Sequence, residues 1–248
     1  MSRIRNAVIM AGALAALLAF PALADQDVNE TVKARADGLV TVENIAGSIE
    51  VVGWDRNEVQ VEGRLTGDAE KLVIDDGRKT RIKVKYPRHS KNLKGGADLV
   101  IHVPFGSRVD VECISATVDV RDVTGAVDAE SISGDVTVSG KCEAVDAESI
   151  SGNVTVNCDA AELSISSISG NIEASGGTSE VEAETVTGRI TLDFDMFLGV
   201  DVESVAGDAK VTGDLRAGGD FSFELHSGTL RLTVPGDVSA DFRVETFS

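Results

Sequence analysis

The stretch Val127-Asp-Ala-Glu-Ser-Ile-Ser-Gly134 recurs without a change at Val145–Gly152. It returns in altered form as Leu163–Gly170, Val181–Gly188 and Val200–Gly207, with a looser copy at Phe221–Gly228. An upstream copy, Val109–Ala116, closes on alanine instead of glycine. The closing positions are 116, 134, 152, 170, 188, 207 and 228, so four steps of 18 residues are followed by steps of 19 and 21. So regular a period marks a stacked repeat.

Inside each unit the period is two. Counting back from the closing residue, positions −7 and −5 are apolar, as in Val127 and Ala129 or Val200 and Val202. Positions −6 and −4 are acidic, as in Asp128 and Glu130 or Asp146 and Glu148. That pattern predicts a strand with one buried and one wet face. Position −2 is Ile or Val in every copy but the last, where it is His226. If those aliphatics face inward, the chain must kink at the Ser or Thr of position −3. The expected core column is then Val136, Val138, Ile150, Val154, Val156, Ile168 and Ile190. The closing glycine is expected to turn a corner at positive φ.

Two short strands per unit cannot bury a core alone, so the coils must stack on one another. The fold class is all-β: a parallel β-helix or β-solenoid, taken as right-handed, with coils of about 18 residues and an N-terminal antiparallel β cap. A left-handed β-helix of three hexapeptides per coil is the competing geometry, but Glu162 and Glu180 fall in one of its apolar columns. Calcium-binding nonapeptides fail for want of G-G-x-G-x-D, and an antiparallel sandwich would not need so strict a period. Val40–Val52 matches the unit column by column, with Glu43 at −4, Ile45 at −2 and Gly47 closing. Strands are predicted near 57–65, 70–76, 79–87 and 97–104 as a layer over the first coil, protecting its open edge.

Met1–Ala24 reads as a cleaved signal peptide: Arg3 and Arg5, an apolar run from Ala7 to Phe20, then an A-x-A site before Asp25. The run is too short for a membrane helix. The organisation is therefore a signal peptide at 1–24, an N-terminal β segment with first coil and cap at 25–108, and solenoid repeats at 109–248. Export to the periplasm or the outside of the cell follows. Residues 25–94 hold 13 acidic and 13 basic side chains, whereas 95–248 hold 28 and 8. So acidic a body repels nucleic acid and anionic headgroups. Trp54 and Tyr86 are the single Trp and Tyr, which counts against a sugar-stacking platform.

The leader, the V-x-x-E-x-x-S-G-D-V units and the neutral β-rich lead segment resemble the bacterial putative-adhesin family. The resemblance covers about Val28 to Ser248. It implies an exported β-solenoid domain and an adhesin-like, non-enzymatic role in the cell envelope, as a binding or structural module.

Four features carry candidate chemistry. Column −4 holds Glu112, Glu130, Glu148, Glu184, Glu203 and Glu224, and column −6 holds Asp110, Asp128, Asp146, Glu182 and Asp201. Stacked like charges need a wet face or bridging cations, and hard oxygen ligands suit Ca²⁺, with Asp128, Glu130, Asp146 and Glu148 as ligand candidates. The alternative function is a cation-dependent polysaccharide-binding or polysaccharide-cleaving β-helix using that ladder. A lyase would also need a base there. Arg121, Lys141, Arg189, Lys210 and Arg231 look scattered, and His89, His102 and His226 are far apart, so no catalytic residue or cofactor is assigned. The basic run Arg78–Lys94 reads as a charged strand that blunts an edge, or as a patch for an anionic envelope polymer or a second copy's acidic solenoid. Cys142 and Cys158 are 16 apart, close to one coil, and a bridge between them is expected, with Cys113 a buried free thiol. Residues 238–248 read as half a further coil whose Phe242, Val244 and Phe247 form a C-terminal edge. Partners are therefore an envelope polymer or protein, or self-association through that edge, with no nucleic acid and no transmembrane anchor.

Overall fold

The computed structural model describes residues 25–87 and 93–236, and within them 17 strands and no helix. The expectations for Met1–Ala24, His89 and residues 238–248 lie outside the described residues. Among the described residues no helix is long and apolar enough to cross a membrane.

The first strands of successive units stack in parallel. β7 (Arg108–Arg121), β8 (Val127–Ser131), β10 (Ala144–Ser149) and β12 (Glu162–Ser167) align Val109, Val127, Val145 and Leu163. β13 (Ile172–Thr187), β14 (Ile190–Ala206) and β16 (Phe221–Ser227) carry the column on through Val181, Val200 and Phe221. The residue added in the 19-residue step is absorbed by a register shift after Ser179. The second strands form a return sheet: β9 (Val136–Lys141), β11 (Val154–Asp159), the opening parts of β13 and β14, β15 (Ala209–Leu215) and β17 (Leu230–Thr233). The inward side chains of both sheets share one core. This is the stacked-coil β-solenoid that the spacing predicts.

At the N-terminal end, β2 (Leu39–Trp54) sits on β7 with Val40 beside Val109, Glu43 beside Glu112 and Gly47 beside Ala116. Its other side is also paired in parallel, with β5 (Thr80–Lys85) and β6 (Ala97–Pro104), which together make one more, broken coil. The antiparallel strands lie outside that coil: β3 (Glu58–Leu65) on β6, β1 (Gln26–Lys33) on β3, and β4 (Lys71–Asp76) on β5. The cap is thus one parallel layer thicker than the sequence suggests.

The core column needs one correction. Val136, Val138, Val154, Val156 and Ile190 are fully buried, but Ile150 and Ile168 are 45% and 48% exposed. Alternation runs on through position −3 without a kink, so Ser131, Ser149 and Ser167 turn inward and the −2 aliphatics turn out. The buried hydroxyls are satisfied, which removes most of their desolvation cost. Ser149 Oγ donates to Gly134 O of the coil before at 3.0 Å and accepts from Gly152 N at 2.9 Å. Ser131 and Ser167 repeat both bonds. Asn44 fills the same slot in β2, and its Nδ2 reaches Ala97 O across the coils at 3.3 Å.

The reason for the closing glycine also differs. Among these closing glycines only Gly47 and Gly228 have positive φ, 111° and 145°. In the others a side chain would point at the coil before: a Cβ on Gly170 would lie 1.8 Å from Gly152 O. Close stacking, not corner geometry, requires glycine there.

Candidate functional site

The outward side chains of the first-strand sheet form three columns. Column −4 runs Glu43, Glu112, Glu130, Glu148, Ser166, Glu184, Glu203, Glu224, each in register with the next across the parallel strands. Column −6 holds Asp110, Asp128, Asp146, Ser164, Glu182 and Asp201. Ser164 and Ser166 fall on the same coil, so both columns break there into two acidic blocks. Column −2 is aliphatic: Ile114, Ile132, Ile150, Ile168, Val186 and Val205, each 43–51% exposed. A sequence reading that placed these aliphatics inside missed them as a surface feature. Strict alternation from −7 to −2, with a small polar residue at −3 in nearly every unit, was the available signal.

The columns enclose grooves. One of about 850 Å³ runs between Glu112, Glu130 and Glu148 on one side and Ile114, Ile132 and Ile150 on the other. It continues past Ile168 into a second of 1190 Å³ flanked by Glu184, Glu203, Val186 and Val205. At its N-terminal head stand Lys83, Tyr86 and Pro87. Lys83 pairs with Glu43, and Arg81 lies 3.9 Å from the same carboxylate. The Tyr86 hydroxyl donates to Asn44 Oδ1 at 2.7 Å. Arg81 and Lys83 of the basic run therefore head the acidic columns. Their strand β5 is no bare edge, since β4 covers it, and Ile82 and Val84 face the core as the alternation predicts.

Stacking carboxylates raises their proton affinity. Asp128 is pushed up to about 6, first by partial desolvation, then by Asp146, Glu130, Asp110 and Glu112. Desolvation also raises Glu130, Asp146, Glu148 and Glu184, with neighbouring carboxylates adding to the effect on the three glutamates. Among the described residues no basic side chain is a cause of the shifts in these five carboxylates. Arg121, Lys141, Arg189, Lys210 and Arg231 all follow their unit's closing position, so they lie on second strands or at the corner before them. They are segregated rather than scattered. Arg121 pairs with Glu50 and lies 3.9 Å from Asp119, and Lys141 lies 3.9 Å from Asp159.

Asp128, Glu130, Asp146 and Glu148, the calcium candidates, stand in two parallel columns. Among the described residues no group of three or more His, Cys, Asp or Glu side chains converges to hold a metal ion. His102 stacks on Trp54 at 5.0 Å within the cap, and Arg56 lies 4.8 Å from the same ring, far in sequence from His226.

The three cysteines are buried thiols. Burial pushes Cys113 up to about 12. Cys158 aligns with Gly140, two residues before Cys142, so Cys142 and Cys158 sit diagonally on adjacent coils. The neighbouring Cys158 side chain lowers the pKa of Cys142, and the same interaction together with burial raises that of Cys158.

Fold and face together define a two-sheet β-solenoid with an exposed carboxylate-and-aliphatic surface. The Toastrack DUF4097 family matches residues 40–248, and the chain belongs to it. Its fold is similar to a crystal structure described as a putative adhesin from Bacteroides fragilis, with 15% identity and a TM-score of 0.56, over 84% of this chain and 97% of that one. Putative adhesins from Parabacteroides distasonis and Parabacteroides merdae share 11% and 12% identity, at TM-scores of 0.51 and 0.50. Those matches cover 83% and 84% of this chain and 96% of each of the others. A search of curated proteins returns no match.

Proposed function

We propose that the protein is an exported, non-enzymatic binding module of the cell envelope, and that the first-strand face is what it presents to a partner. The observation that carries this reading is an unrelieved surface: two columns of partly desolvated carboxylates beside a ladder of exposed aliphatics. Neither feature stabilises the chain by itself, since like charges repel and apolar surface in water is unfavourable. A ligand bearing positive charge and apolar groups would relieve both. The Met1–Ala24 leader and the adhesin descriptions of the similar structures support the envelope setting.

The test is co-sedimentation of the mature chain with isolated envelope fragments. A variant carrying Glu130→Gln, Glu148→Gln, Ile132→Ser and Ile150→Ser should lose most of its retention. Equal retention of both proteins would overturn the assignment of this face.

A further inference from the structure

The groove between the glutamate and aliphatic columns has a geometry that selects among cationic partners. Its floor is a sheet whose strands are already hydrogen-bonded on both sides, β8 between β7 and β10, and β10 between β8 and β12. An extended peptide laid across it would find no backbone partners, so an occupant must arrive with its own backbone bonds made. An α-helix does so.

Spacing points the same way. The rungs Glu112, Glu130 and Glu148 recur at about 4.8 Å, one per coil. Same-face side chains of a strand recur at about 6.8 Å, which falls out of step within two rungs. A helix brings side chains back at about 5.4 Å per turn, a mismatch of about 1 Å over two rungs that glutamate and lysine side chains can absorb. The aliphatic column keeps the same rung spacing beside it, and Ser164 with Ser166 ends the acidic block three rungs beyond Glu43. Among the described residues the chain itself supplies a cation to this column at one place, where Lys83, with Arg81 beside it, meets Glu43 at the groove's head.

We propose that the groove docks a cationic amphipathic helix of a partner protein. Lys or Arg side chains at successive turns would meet Glu112, Glu130 and Glu148, with leucine-like side chains on Ile114, Ile132 and Ile150. The inference rests on the reading above that this face binds a partner, and names the class of partner.

The probe is a labelled peptide of Leu and Lys only, patterned as an amphipathic helix of about four turns. Its comparators are the same composition patterned as an alternating strand, polylysine, and spermine. Fluorescence anisotropy with the mature chain should show the helical peptide binding at least about tenfold more tightly than any comparator, a difference of about 1.4 kcal/mol. Circular dichroism should show helix gained on mixing. Glu130→Gln with Glu148→Gln, and separately Ile132→Ser with Ile150→Ser, should each weaken binding about tenfold, while Thr155→Ala on the return sheet should not. All these positions are outward, and a thermal melt of each variant checks that it is folded. Equal binding of polylysine, or no effect of the isoleucine variants, would reduce the site to bare electrostatics and overturn the inference. If the helical peptide fails to bind while envelope retention still depends on these residues, the helix is wrong and the binding face stands.

Discussion

The two outer faces of this solenoid obey one stacking rule and reach opposite electrostatic results. On the return side the sheet columns mix hydroxyls, amides and charges of both signs, and a column of Asp and Asn at the corner before its strands is satisfied along the stack. Asn153 donates through its backbone N to Asp135 Oδ1 at 2.8 Å, Asn171 N to Asn153 Oδ1 at 3.0 Å, and Arg189 N to Asn171 Oδ1 at 3.0 Å. Ser175 Oγ donates to Asn157 Oδ1 at 2.8 Å. Carboxylates stacked on one another have no donor among themselves, so on the first-strand sheet their stacking gives repulsion instead of bonds. Identical residues in register are a stabilising device when each both donates and accepts, and a cost when each only accepts. The return face serves the fold, whereas the first face retains a cost that a partner can remove.

The largest effect should separate inside from outside. Val154→Asp, at a fully buried position, should destabilise by about 4 kcal/mol and unfold the repeats in urea. Ile150→Asp, four residues earlier but outward, should cost no more than about 1 kcal/mol. Similar losses for the two would mean that the aliphatic ladder is core after all.

The joint beneath both faces can be tested through its thiols. We expect Cys142 and Cys158 to bridge when an oxidised small-molecule disulfide accepts their two hydrogens and leaves as two thiols. Closing a loop of that length should stabilise by about 3 kcal/mol in the chain-entropy account. Alkylation and mass spectrometry should find Cys113 still free. A bridge to Cys113 would break the coil register.

The acidic face should make the protein more stable in mild acid. Asp128 keeps its proton to about pH 6 when folded and to about 3.9 when unfolded, so the folded chain binds more protons in that window. Stability therefore falls as pH rises through it, and the Tm should be higher near pH 4.5 than near pH 7.5, other groups being equal. Asp128→Asn with Glu130→Gln should flatten the difference. A Tm that rises over the same range in wild type and variant alike would show that the columns are not in contact.

Smaller changes should have opposite signs on the two faces. Near neutral pH, Asp128→Asn should stabilise by about 1 kcal/mol by removing a like charge. Asn153→Ala should destabilise by about 1 kcal/mol by orphaning its neighbours. Denaturant melts giving the same sign for both would erase the contrast. The smallest effect concerns calcium. If the carboxylates form only a crowded wet face, CaCl₂ and NaCl at equal ionic strength should shift the Tm alike, and an excess of several degrees with calcium would make Asp128, Glu130, Asp146 and Glu148 a cation site.

Periodicity made most of the fold legible. Val127, Val145, Leu163, Val181, Val200 and Phe221 stack as their spacing requires, and Val40 falls on Val109 across 69 residues. The phase at −3 is not legible from hydrophobicity alone, which assigns isoleucine at −2 to the core. Ser149 takes the inside because its two hydrogen bonds need two coils at once, a relation that one unit's pattern does not display. The segregation of cations was hidden for a similar reason: Arg121, Lys141 and Lys210 share a sheet but no column. The parallel pairing of β5 and β6 with β2 was not visible because those strands lack the repeat's residues.

The seam of glycines has a consequence for how such a chain can change length. Gly134, Gly152, Gly170, Gly188 and Gly207 each admit the carbonyl of the closing residue before without regard to which coil supplies it. Every joint is therefore interchangeable. Excising residues 135–152 would set the Leu163 coil directly on the Val127 coil through a junction of the same kind, and duplicating them would add a coil as readily. Length then becomes a separately adjustable trait, altered by one slip in copying without redesign of the interior. Removing that coil would take away Glu148 and Ile150 and leave two rungs beyond Glu43 standing before the serine break.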